Sequence, residues 1–184
     1  MKKEMIALSG EIASGKGTVG KIISKTLGYE IYSASMVFRQ MAREKNMSIT
    51  DFGKYVEERP ELDLETEKRM GEYAKANSKV ILDGRMAFYV APFAFKVYMK
   101  VDTDVAAERM FNDNRGKEDS YDTLEETKAS IIDRYENENT RYMNVYNVNK
   151  ADESNYDLVF DTTGKSPEEC AKIILDAFQI WLNN

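Results

Sequence analysis

Five short apolar runs punctuate the chain: Met5–Leu8, Tyr29–Tyr32, Val80–Leu82, Val97–Val101 and Leu158–Phe160. Each is followed by a turn signal or a helical pattern, the alternation expected of a parallel sheet covered on both faces. After the first run, Val19, Ile22, Ile23 and Leu27 recur at helical spacing and predict an amphipathic helix. The last helix is announced by Ser166, Pro167 and Glu169, an N-cap, an N1 proline and a capping box, ahead of Ile173, Ile174, Ala177 and Phe178. Two long stretches hold no strand. Residues 35–78 read as two or three helical segments, in which Phe52, Tyr55, Met70 and Tyr73 recur at helical spacing and predict packing between small helices. Residues 103–150 are highly charged. Connections in compact α/β units are short, so insertions of this length point to function.

Between the first strand and its helix lies Gly10-Glu11-Ile12-Ala13-Ser14-Gly15-Lys16-Gly17-Thr18. Gly10 and Gly15 permit the tight turns that aim successive N–H groups at an anion. Lys16 adds a mobile positive charge for the outer phosphates of a nucleotide, and the helix that follows adds the positive end of its dipole. Gly17 stands where the strict phosphate-loop pattern has a hydroxyl for Mg²⁺, and Thr18 supplies one a place later. Four of the ten glycines fall between positions 10 and 20, so their clustering is local rather than compositional. The expectation is an α/β chain with the P-loop NTPase three-layer fold: a five-stranded parallel sheet, with residues 1–184 forming one domain.

Composition narrows the chemistry. The 184 residues suffice for one domain with a sizeable core. A formal net charge of −6 argues against nucleic acid or an anionic membrane surface as the main partner. No apolar run approaches a membrane span and no signal segment opens the chain, so a cytoplasmic location is expected. There is one cysteine, Cys170, and no histidine, which excludes disulfide frameworks, His-dependent triads and His-ligated metals. Catalysis is left to carboxylates, Lys, Arg, backbone dipoles and a hard metal ion.

In open α/β sheets, ligands sit beyond the carboxyl ends of the strands. There the chain places Ser33-Ala34-Ser35 with Arg39 one helical turn on, Asp83-Gly84-Arg85, Asp102, and Asp161-Thr162-Thr163. A carboxylate, a small residue and a guanidinium in a row can hold metal-bound water and phosphate while letting substrate approach. The nine arginines are scarce beside seventeen lysines. Arg134 and Arg141 lie seven residues apart, hence on one helix face, with Arg109 and Arg115 at the start of the same insertion. Two readings stand for these arginines. They pair with Asp133, Glu136 and Glu138 on a solvated face, or they close on a phosphoryl group as it transfers.

The ordered set resembles the nucleoside monophosphate kinases, most closely the archaeal-type cytidylate kinases. It runs through Ser9–Thr18, Ser33–Ala42, Phe52-Gly53-Lys54-Tyr55, Pro60-Glu61-Leu62-Asp63, Leu82–Arg85, Glu108-Arg109-Met110, Arg134 to Arg141-Tyr142, and Tyr156–Thr162. The resemblance implies ATP and Mg²⁺ as cofactors and a nucleoside monophosphate as acceptor, CMP or dCMP favoured, in a monomer or weak homodimer. It implies that Gly10, Ser14, Gly15, Lys16, Gly17, Thr18 and Arg109 bind ATP, and that Ser33, Arg39, Gly84 and Arg85 bind the monophosphate. Lys16, Asp83, Arg134 and Arg141 would be catalytic, with Thr18 and Asp83 meeting the metal through water. Residues 35–78 would form a helical monophosphate-binding insertion, and residues 109–150 a lid. The chain departs from the family pattern in carrying Ser35-Met36 for Gly-Asp, Ala13 for a loop glycine, and a displaced second arginine after Arg109. Two alternatives stay open: a P-loop kinase for adenylate or a small metabolite, and a nucleotide-binding protein that has lost phosphoryl transfer.

Overall fold

The computed structural model describes residues 3–57, 59, 61–113 and 121–184. Arg115 and Pro60 lie outside them. The expected strands are present, displaced by a residue or two at their ends: β1 Met5–Gly10, β2 Glu30–Ser33, β3 Val80–Asp83, β4 Phe95–Lys100 and β5 Leu158–Asp161. They form one parallel sheet in the order β2-β3-β1-β4-β5. Helix α1 (Lys16–Leu27) follows β1 and α8 (Pro167–Asn183) follows β5. Residues 34–76 run as α2 (Ala34–Glu44), α3 (Ile49–Glu57) and α4 (Glu61–Ala76), and the short α5 (Ala87–Val90) follows β3. After β4 come α6 (Thr103–Asn112) and the long α7 (Leu124–Tyr146).

Side chains alternate across a strand, and β1 divides its own between two cores. Ile6 and Leu8 face α1 and α8, packing with Val19, Ile23, Ile174 and Phe178. Met5 and Ala7 face the other way, onto Val37 and Met41 of α2, Phe52 of α3 and Met70 of α4. That makes three layers, helix–sheet–helix. The expected packing role of Phe52, Met70, Tyr55 and Tyr73 holds: the first two are fully buried, the others line the same core, and Tyr73 stacks on Tyr32 with centroids 3.7 Å apart. The capping box expected at Ser166 and Glu169 is formed, with Pro167 opening α8.

Register brings the strand ends level. Leu8 and Ser33 both pair with Asp83, Gly10 pairs with Met99, and Lys100 pairs with Asp161. All the loops singled out in the sequence therefore open on one edge of the sheet. Helices α6 and α7 rise over that edge, packed on each other through Ala106, Ala107 and Ile131, with Ile12 and Ala13 of the loop beneath. Among the described residues no helix is long and apolar enough to cross a membrane.

Candidate active site

The loop after β1 is anchored at both ends. Glu11 N–H donates to the Met99 carbonyl (2.9 Å), and Glu11 Oε2 accepts from Val101 N–H (2.7 Å), so the loop's first turn is tied to the end of β4. Ala13 and Gly15 are both left-handed (φ 58° and 85°), and Gly15 caps α1. Left-handed residues in a tight loop produce the concave backbone that collects N–H groups around an anion. Ala13, which replaces a glycine of the family pattern, adopts the same hand despite its Cβ, at a cost of about 1 kcal/mol.

Lys16 Nζ donates to the Gly10 and Glu11 carbonyls (3.2 and 3.4 Å), an arrangement that folds the side chain back over the loop. Loss of water lowers its pKa to about 8. Asp83 and Glu138 pull the value back up, while Arg85 and Lys150 push it further down. Asp83 is its mirror image: burial raises the carboxyl, and Lys16 and Arg85 oppose that rise. These groups share one electrostatic field, centred on Lys16.

Two cavities border this set of residues, one at the loop and one at Arg85. The first, about 450 Å³, is lined by Ala13, Ser14, Gly15 and Thr18 of the loop, Arg109 and Met110 of α6, Arg134 of α7, and Thr162, Lys165 and Cys170 beyond β5. Arg109 braces its wall, donating from Nη1 to the Ala13 carbonyl (3.2 Å) and from Nη2 to the Thr162 carbonyl (3.0 Å). Ser14 Oγ is buried there and has no hydrogen-bond partner among the described residues. A buried hydroxyl in that state costs free energy until a ligand satisfies it.

The second cavity, about 350 Å³, gathers three guanidinium groups, Arg39, Arg85 and Arg141, beside Ser35, Phe38, Thr66, Glu67 and Tyr142. Arg39 comes from α2, Arg85 from the turn after β3, and Arg141 from α7, so three separate elements converge. Arg141 lies against the Tyr142 ring and donates to its hydroxyl (3.4 Å). Converging arginines in a concave site form a receptor for a doubly charged phosphate.

The remaining predicted residues fall as follows. Gly10 ends β1 against Met99, and Gly17 and Thr18 lie exposed in the first turn of α1. Ser33 is occupied as the N-cap of α2, accepting from Met36 N–H and lying 3.0 Å from the Ser35 hydroxyl; Ser35, not Ser33, lines the second cavity. Gly84 sits under Met70, with its carbonyl accepting from Ser9 Oγ.

Two further residues, Glu138 and Lys150, belong to this centre. Glu138, read as a partner of neighbouring arginines on a solvated face, is only 9 % exposed. It pairs with Arg85 (Nε–Oε1 2.7 Å) and accepts from Lys150 Nζ (2.6 Å). Its spacing carried a signal: 134, 138 and 141 share one helix face. Lys150 carried none, since a lone lysine in a polar loop is ordinarily solvated; here it is buried and its pKa is lowered by burial, an effect Glu138 opposes.

Residues 5–164 match the model of the cytidylate kinase-like family. A cytidylate kinase of Thermoplasma volcanium is 33 % identical over 175 residues, covering 93 % of this chain and 89 % of that protein. One of Pyrococcus horikoshii is 35 % identical over 173 residues, covering 94 % and 86 %. Among solved structures, a shikimate kinase from Aquifex aeolicus superposes with a TM-score of 0.60 at 21 % identity, covering 95 % of this chain and 96 % of that one. A shikimate kinase from Bacteroides thetaiotaomicron gives 0.67 at 14 %, covering 95 % and 98 %. These two share the fold.

Proposed function

The chain belongs to the cytidylate kinase-like family, and from that premise we propose that it transfers the γ-phosphoryl group of MgATP to a cytidine monophosphate, CMP or dCMP. The observation that carries this reading is the presence of two cavities at the sheet edge, one walled by the phosphate loop and the other by three arginines, with Lys16 of that loop in the field of Arg85 from the second. A single-substrate site needs only the first.

In this reading the first cavity takes ATP, its phosphates lying along Ser14–Thr18 with Arg109 beside the nucleoside. The second takes the monophosphate, whose phosphate meets Arg39, Arg85 and Arg141. Ser35, Thr66 and Glu67 offer hydrogen-bonding groups to the rest of that nucleotide. Magnesium would arrive with ATP, where Thr18 and Asp83 would hold its coordinated water and the ion would offset charge on the donor phosphates. An oxygen of the acceptor phosphate attacks the γ-phosphorus in line. A new P–O bond forms, the bond to the β–γ bridging oxygen breaks, and ADP leaves with that electron pair. The attacking oxygen is already anionic, so no strong general base is required, which suits a chain without histidine. Lys16, Arg134 and Arg141 neutralise the charge that spreads over the transferring group. The end of α6 from Arg109 onward and α7 serve as the lid, and α2–α4 as the monophosphate-binding insertion.

Arg39 gives the separating test, because it reaches only the second cavity. In steady-state kinetics with each substrate varied in turn, Arg39→Ala is expected to raise the KM for CMP roughly tenfold to a hundredfold, the loss of a charge-assisted contact. The KM for ATP is expected to stay within about twofold. Equal increases for both substrates would place Arg39 in the wrong half of the site.

A further inference from the structure

Along one face of α7 stand Arg134, Glu138 and Arg141, at i, i+4 and i+7. Arg134 lines the first cavity and Arg141 the second. At 1.5 Å of rise per residue they lie about 10 Å apart along the axis, so the helix bridges both substrates. Glu138 stands between them, buried, and holds two cations that belong to different parts of the body. Arg85 follows β3 directly. Lys150 lies on the return path to β5, only 4 % exposed, with its ammonium over the Tyr135 ring (4.9 Å). The Lys150 carbonyl accepts from the Tyr156 hydroxyl (2.7 Å), and the Tyr156 ring packs on Tyr98 of β4 and Phe88 of α5. One carboxylate thus ties the middle of α7 to the end of β3 and, through Lys150 and Tyr156, to β4.

We propose that Glu138 is a positioning residue that fixes the register of α7 over the sheet edge, so that Arg134 and Arg141 each reach their own substrate. It is not itself a ligand for phosphate, being a carboxylate with both oxygens engaged. Its neighbours explain the need for an anion at this point. Lys16 feels the positive charges of both Arg85 and Lys150, and a helix bringing two further arginines to this edge would be repelled without an intervening negative charge. Apolar packing of Ile131 on α6 holds the first half of α7. Tyr142 holds the second half on Met86, Phe88, Tyr98 and Tyr156, and the Glu138 carboxylate fixes the turn of helix between these two packed ends, from which Arg134 and Arg141 project.

The proposal rests on the phosphotransfer reading. If the unaltered protein forms no diphosphate from any nucleoside monophosphate, that reading has failed before a variant is made. Removing Glu138 alone strands the buried Lys150 and threatens folding, so the test removes that pair together; the Arg85 side chain, 39 % exposed, keeps its access to water. In Glu138→Leu/Lys150→Met the expected melting temperature is within about 5 °C of the parent, because apolar replacement of a whole buried pair is well tolerated. Turnover at saturating substrates is expected to fall roughly thirtyfold, the scale of an ångström-level misplacement of catalytic groups. The same change made in an Arg134→Ala/Arg141→Ala background is expected to cost less than about threefold, since the residues it positions are already gone. A second variant, Glu138→Asp, keeps the charge and withdraws it by one methylene. It should fold normally and lose about tenfold in turnover with the KM for ATP unchanged. Undiminished turnover in both variants, or an equal loss with and without the two arginines, overturns the proposal.

Discussion

Replacing Lys16 by methionine is expected to lower turnover by about a hundredfold to a thousandfold, the scale of removing one preorganised positive group from a transferring phosphoryl. It should do so without lowering stability at pH 7. The two readouts separate because the free protein holds Lys16 at a cost: its pKa is brought down to about 8 from 10.5, chiefly by loss of water. The sign follows from linkage. Between about pH 8 and 10.5 the unfolded chain holds a proton that the folded chain has released, so this residue's contribution to stability rises with pH across that window. Below pH 8 the penalty is fully present. In urea denaturation, the stability of the parent relative to Lys16→Met is expected to improve from pH 7.5 to pH 10. Bound phosphate supplies a countercharge beyond Asp83 and Glu138, which is why a group unfavourable to the fold is useful in the site. Near-normal turnover in Lys16→Met, or a stability difference that does not change with pH, would remove Lys16 from the centre of the mechanism.

The second large effect is structural. An added Cβ at Gly10 meets the Met99 carbonyl at 2.5 Å and the Met99 backbone nitrogen at 3.0 Å. Those atoms belong to β4, paired with β1 at this position, so no side chain can swing away to make room. The strands must part where Glu11 is tied to Met99 and Val101. Gly10→Ala is expected to lose about 3 kcal/mol, roughly ten degrees in melting temperature for a chain of this size, together with most of the stabilisation that added ATP gives the parent. Gly15→Ala is the control. Nothing stands within 4 Å of its added Cβ, so only the left-handed backbone resists, at about 1 kcal/mol. Thermal melts with and without ATP decide the matter. A Gly10→Ala protein as stable as the parent, or one less affected than Gly15→Ala, would contradict the clash.

Much of this architecture could be read from local signals. Apolar runs of three to five residues located all five strands, most clearly β1, β3 and β4, where burial leaves little polar alternation to confuse them. The capping box at Ser166 and the loop around Lys16 are short-range devices, and both took their expected form. Arg39, Arg85 and Arg141 were singled out from three distant segments, and the sheet's level carboxyl ends bring them to one cavity. What the sequence hid was pairing across distance. Glu138 looked like one of several acids among arginines, and only the placement of α7 over Arg85 turns it inward. Lys150 needed the Tyr98–Tyr156 packing to bury it, a contact between β4 and the approach to β5. Ser33 shows a second use of a serine after a strand: directly before a helix it also caps that helix, and its hydroxyl accepts from Met36 N–H beside the Ser35 hydroxyl.

The most direct test of the account is an acceptor panel. ADP formation from MgATP is measured with CMP, dCMP, UMP, AMP and GMP in turn, and the product nucleotide is identified by chromatography. The expected result is rapid turnover with CMP and dCMP, one diphosphate formed per ADP, and little ATP hydrolysis when the acceptor is left out. A preference for AMP or GMP, or ADP formation that ignores the acceptor, would contradict it.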